Sequence, residues 1–153
     1  MNRHFAAMLS ALSAEEVEFL LVGAHALATH GVPRMTVVID ICVRPTAPNS
    51  ERVWRALVRF RAPLAGVTSS DFARAGIVFQ IGVPPRRIDL LTAIDGVEFE
   101  AAYERRLVHR TGGLSIPVLG REDLIANERA AGRPKDLADV QLLERGTIRG
   151  DAR

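Results

Sequence analysis

The chain has 153 residues, 48% hydrophobic and 25% charged, which fits one soluble globular domain with its own core. Net charge is only +2, and Lys135 is the only lysine, so arginine, a planar donor fork suited to phosphates, carries nearly all the positive charge. Cys42 is the only cysteine, which excludes an internal disulfide and a cysteine-based zinc site and suits a reducing cytoplasm. No run approaches the roughly 20 apolar residues of a membrane helix, and the apolar start, Met1 to Leu9, is too short for a signal peptide. These features predict a soluble, cytoplasmic protein.

Phe5, Met8, Leu9 and Leu12 recur at helical spacing and predict a helix over 3–13. Val17 to Val22 is a short apolar run ending at Gly23, which reads as a buried strand. Ala24 to Thr29 are helix formers, stopped by Gly31 and Pro33. Residues 36–43 are dense in β-branched side chains and form the clearest strand. Pro48, Asn49 and Ser50 read as the cap of a helix carrying Val53, Trp54, Leu57, Val58 and Phe60.

Residues 77–82 and 87–92 read as two strands of a hairpin around Pro84 and Pro85. Phe99 to Leu107 reads as a helix, Leu114 to Leu119 as a strand, and Glu122–Ala131 and Lys135–Leu143 as closing helices split by Gly132 and Pro134. This order predicts an α/β (α+β) fold: one domain over residues 1–146, a mixed sheet flanked by helices, and a flexible tail at 147–153.

Two acids stand out. Asp40 interrupts an apolar β-branched run, and Asp89 does the same in Arg87-Ile88-Asp89-Leu90-Leu91. A carboxylate in such a strand is costly unless it binds something. Two strand-borne carboxylates suit Mg²⁺, which takes oxygen ligands, commonly one or two carboxylates plus substrate phosphates. The alternative is that each acid pairs with a nearby arginine such as Arg44 or Arg87. Gly23, at a strand-to-helix handover, reads either as a tight turn or as a place for a phosphate to approach.

Residues 21–44 resemble the core of the minimal nucleotidyltransferases, and more closely the abortive-infection and toxin–antitoxin branch. That branch typically shows Val-Gly-Gly, a small helix, then Arg-x-Thr-x-Asp-Ile-Asp, matched here by Gly23, Arg34, Thr36, Ile39 and Asp40. The resemblance continues through Ile81–Leu91, where Asp89 falls at the third acid, and reaches Gly132-Arg133-Pro134-Lys135-Asp136-Leu137-Ala138-Asp139. It implies transfer of a nucleoside monophosphate from a nucleoside triphosphate to an RNA or protein hydroxyl, with Mg²⁺ on Asp40 and Asp89 and an antitoxin as partner. It implies a catalytic set of Asp40, Asp89 and Lys135. The implied nucleotide contacts are Gly23, Ala24, His25, Arg34, Thr36, Arg133 and Asp136.

The sequence departs from that pattern at three points. Val38 stands where the first acid of Asp-x-Asp belongs, and an isopropyl group ligates no metal. Losing one stabilising group of this kind commonly costs about 100-fold to 1000-fold in rate. Ala24 replaces a second glycine, and Asn127 stands where relatives often carry a lysine.

Asp136, near a helix start behind Pro134, also suits plain capping, and Asp136 and Asp139 share a helical face. His25 and His30 are five apart and form no zinc pair on a helix. Trp54 reads as core, and aromatics at 5% form no RNA-recognition surface. Three functions follow as expectations: a weakened nucleotidyltransferase, an inactive nucleotide- or partner-binding module, or a small basic nucleic-acid-binding domain.

Overall fold

The computed structural model describes residues 1–35 and 37–151, and the backbone alone for 147–151. Thr36, expected to touch nucleotide, lies outside the described residues, as do positions 152 and 153 of the expected tail.

Helix α1 (Arg3–Ala14) is capped by Asn2, whose side chain accepts from the Phe5 N–H at 2.8 Å, and it buries Phe5, Met8, Leu9 and Leu12. Strand β1 (Phe19–Val22) passes directly into α2 (Gly23–Thr29), and β2 spans Val38–Val43. Helix α3 (Ala47–Phe60) packs on α1 and buries Val53, Ala56 and Leu57. Trp54 lies half-buried against this core, as its spacing predicts.

The cap of α3 is Thr46 and not the expected Pro48–Ser50 stretch. The Thr46 hydroxyl accepts from the Asn49 N–H, Pro48 sits in the first turn where no N–H is needed, and Asn49 is buried. Asn49 does different work. It accepts from the Glu18 N–H at 2.8 Å and donates to the Glu18 and Arg44 carbonyls at 3.0 Å each, tying β1's entry to β2's exit.

A short 3₁₀ turn at Ser69–Ala73 is opened by a reciprocal Thr68–Asp71 capping box. Strands β3 (Val78–Ile81) and β4 (Arg87–Leu91) form the expected antiparallel hairpin. Helix α4 (Phe99–Glu104) ends three residues before Leu107, where the apolar pattern ends it. Leu107 instead opens β5 (Leu107–Thr111), which pairs antiparallel with β6 (Leu114–Val118) across Gly112 and Gly113. Both glycines have positive φ, as a two-residue hairpin turn requires. All five β5 residues are exposed, so the strand has no apolar alternation to betray it.

Helices α5 (Arg121–Ala131) and α6 (Pro134–Asp151) close the chain and pack on each other; α6 continues past Leu143. The sheet order is β3-β4-β2-β1-β6-β5, with β2/β4 and β1/β6 parallel and the other pairs antiparallel. It is the expected mixed sheet. Strands β1 and β2 are buried on both faces at the centre, which is why they read as nearly unbroken apolar runs.

Candidate functional site

The register of β2 against β4 pairs Asp40 with Asp89 and Val38 with Arg87. Neighbours across a sheet project to the same side, so the two lone acids of the sequence stand next to each other. Both line a cleft of about 560 Å³ whose opposite wall comes from α5 and α6. A larger groove of about 690 Å³, lined by His4, Phe60, Arg61 and neighbours, holds no carboxylate.

Gly23 is required twice over. Its φ of +64° lies in the left-handed region, and a Cβ added there would sit 2.5 Å from Asp40 Oδ2. The strand-to-helix turn therefore presses its bare backbone against the Asp40 carboxylate. Burial, then the adjacent Asp89 carboxylate, push the Asp40 carboxyl up to about 6, against the pull of Arg87, Lys135 and Arg133.

Asp89 is differently held. Arg87 donates from Nε to Oδ1 at 2.9 Å and from Nη2 to Oδ2 at 2.8 Å, a bidentate clamp. The arginine-pairing alternative is thus observed for Asp89. Arg44 instead pairs with Glu18 at 2.7 Å.

On the facing wall, Asp136 is buried at the start of α6 and accepts from the Arg133 backbone N–H at 3.2 Å and its Nε at 2.7 Å. The capping reading is therefore realised, inside the cleft. Burial opposes ionisation of Asp136, yet hydrogen bonds from Arg133 and Glu128 hold its carboxyl below the usual range. Burial and the neighbouring Asp136 push the Glu128 carboxyl up to about 7. When protonated, Glu128 is the donor in this pair. Arg34 forms an ion pair with the buried Asp139. Lys135 lines the cleft with no hydrogen bond or ion pair among the described residues.

A pair of divalent cations does not fit these residues. Val38 offers no oxygen, and both Asp89 oxygens are taken by Arg87. Glu128, Asp136 and Asp139 bring ligand atoms within 4.8 Å of one another, but Asp136 and Asp139 are already tied to Arg133 and Arg34. One cation on Asp40, with Asp89 once released from Arg87, is what the donor set fits.

No protein-family profile and no curated protein matches the chain. Among solved structures it is similar to a Thermotoga maritima protein described as a "putative nucleotidyltransferase", with a TM-score of 0.56 and 18% identity over 99% of this chain and 92% of that one. The chain has a nucleotidyltransferase-like fold. At that identity the likeness speaks for the fold and not for a substrate.

Within this fold, the sequence-derived residues Gly23, Ala24, Arg34, Asp40, Asp89, Arg133, Lys135 and Asp136 all meet at the one cleft. His25 does not line it. Its ring is buried edge-on against Phe5, 5.5 Å between centroids, and burial lowers its pKa. Asn127 is spent on the Asp95 carbonyl at 2.9 Å, beside a smaller cavity of about 280 Å³ that shares Gly23, Asp40, Glu128 and Arg133 with the main cleft.

Arg87 and Glu128, charged residues of the cleft, lie outside the sequence-derived set. Arg87 enters the sequence reading only as a partner for an acid, and Glu128 does not enter it. Glu128 lies four residues after Leu124 and three after Ile125, and so falls on the buried face of α5. An acid on an apolar helical face is the signal that marks it.

Proposed function

We propose that the cleft binds the phosphates of a nucleoside triphosphate. The activity we assign to it is transfer of the nucleoside monophosphate to an RNA or protein hydroxyl, at a rate reduced by the Val38 position. The observation that carries this reading is the side-by-side placement of Asp40 and Asp89 against the Gly23 turn, facing Lys135 across one cleft.

The charges in the cleft support it. Arg34, Arg133 and Arg87 are each matched to a carboxylate, and Glu128 is about half protonated near pH 7. Lys135 is left to meet a phosphate oxygen. A bound Mg²⁺, held by Asp40 and Asp89, would neutralise charge on the triphosphate. Gly23, having no side chain, lets the Asp40 carboxylate sit directly against the strand-to-helix turn.

A specific observation favours a second reading, a binding module without turnover: Asp89 is clamped and position 38 carries no acid. The resemblance to toxin–antitoxin nucleotidyltransferases makes a cytoplasmic RNA or protein the acceptor class to test first, and an antitoxin the partner.

The test is calorimetric titration of the four nucleoside triphosphates with Mg²⁺, then transfer of labelled nucleotide to RNA and protein. Nucleotide binding whose Mg²⁺-dependent part Asp40→Ala abolishes supports both readings, and label transfer separates them. Val38→Asp adds a third carboxylate beside the first two and is expected to strengthen Mg²⁺ binding about tenfold or more. Binding of RNA in place of any nucleotide refutes the proposal.

A further inference from the structure

We propose that Arg87 is the resident cation of this cleft: its guanidinium neutralises Asp89 and takes a phosphate oxygen, so that a triphosphate binds without a divalent ion, and a divalent ion enters only by displacing it. The inference rests on the nucleotide reading above and deepens it, naming how the same site manages charge.

Two carboxylates side by side in a sheet repel each other and need a cation between or beside them. The structure supplies that cation from its own chain. Arg87 precedes Asp89 by two residues on β4, so both side chains leave the same face of the strand, and the guanidinium grips both Asp89 oxygens. The same charge acts on Asp40, whose oxygens make no hydrogen bond among the described residues.

The geometry leaves Arg87 with capacity to spare. Nε and Nη2 are used on Asp89, while Nη1 has no partner among the described residues. A guanidinium carries five N–H donors in a planar fork, and the unused edge has the spacing for a phosphate. The side chain is 33% exposed and lines the cleft, so the open edge is reachable by solvent and by ligand.

Val38 completes the arrangement. It is the register partner of Arg87 on β2 and carries no acceptor, so its side chain makes no claim on the free edge. Lys135, also unpaired among the described residues, provides a second donor from α6. A phosphate chain can therefore meet two positive groups before any metal arrives. A divalent ion, by contrast, finds Asp89 already bonded and must break two charge-assisted hydrogen bonds to reach it.

The test uses inorganic tripolyphosphate, which removes any dependence on base, and Mn²⁺ followed by electron paramagnetic resonance without nucleotide. In EDTA the native chain is expected to bind tripolyphosphate, with affinity within about threefold of that in Mg²⁺. Arg87→Met should weaken binding in EDTA by about tenfold or more, since two bare carboxylates then face the phosphates, and should tighten Mn²⁺ by a similar factor. Arg87→Lys keeps the charge and should retain most of the EDTA binding; it also covers the case in which Arg87→Met does not fold.

Loss of native binding in EDTA while binding in Mg²⁺ persists overturns this inference and leaves the nucleotide reading intact. Unchanged Mn²⁺ affinity in a folded Arg87→Met chain overturns it as well. Absence of tripolyphosphate and nucleoside triphosphate binding under both conditions sinks the nucleotide reading and this inference together.

Discussion

Replacing Asp40 by asparagine should stabilise the fold at neutral pH while destroying the site. Burial and Asp89 raise the Asp40 carboxyl from 3.8 to about 6, so folding holds its proton more tightly than the unfolded chain does. Stability from this group is fully present below about pH 4 and is lost as pH rises through about 6. A gap of roughly two pH units corresponds to about 3 kcal/mol, at about 1.4 kcal/mol each. The asparagine side chain is isosteric and never ionises, so Asp40→Asn should gain roughly 3 kcal/mol over the native chain at about pH 7.5 and almost nothing at about pH 4. In a domain of this size that is a rise in Tm of roughly 9 °C. The assay is chemical and thermal unfolding of both chains in EDTA across that range. The same stability difference at both ends, or a less stable variant at pH 7.5, would refute the claim that a strained carboxylate faces the cleft.

Gly23→Ala sets a methyl group 2.5 Å from Asp40 Oδ2 and an L side chain at φ +64°. The backbone strain alone costs about 1–2 kcal/mol, and the displaced carboxylate should abolish Mg²⁺-dependent nucleotide binding, read by melting and by calorimetry. Asn49→Ala removes three side-chain hydrogen bonds to part-buried backbone groups of Glu18 and Arg44. Unfolding should become easier by roughly 2–4 kcal/mol, with nucleotide affinity of the folded fraction unchanged. A loss under about 0.5 kcal/mol would mean that this link between β1 and β2 is not structural.

Much of the site is legible in the sequence because chemistry places residues where packing alone would not. Asp40 and Asp89 are conspicuous as acids in apolar strands, and a mixed sheet with flanking helices follows from the order of elements. Gly23 is visible as a strand-to-helix turn. What it touches is not, since Asp40 is 17 positions away and reaches it only through the antiparallel pairing of Val22 with Asp40. His25 illustrates the opposite error. Close to Gly23 in the chain, it turns into the core, because α2 presents successive residues to different directions.

Local pattern determined which segments are helices and strands wherever one side is apolar, and it marked the two acids as exceptional, while the Lys135–Asp136 helix start stood out only through the family resemblance. It failed at β5, which is exposed on both faces, and at the cap of α3, where several residues of similar capping ability compete within five positions. Tertiary structure alone decided that β2 and β4 are adjacent, parallel and in the register that sets Asp40 beside Asp89 and Arg87 beside Val38. It also decided that Glu128 is buried opposite them. Strand pairing across 49 residues, like helix packing, depends on how whole faces meet, and no window of neighbouring residues carries that information.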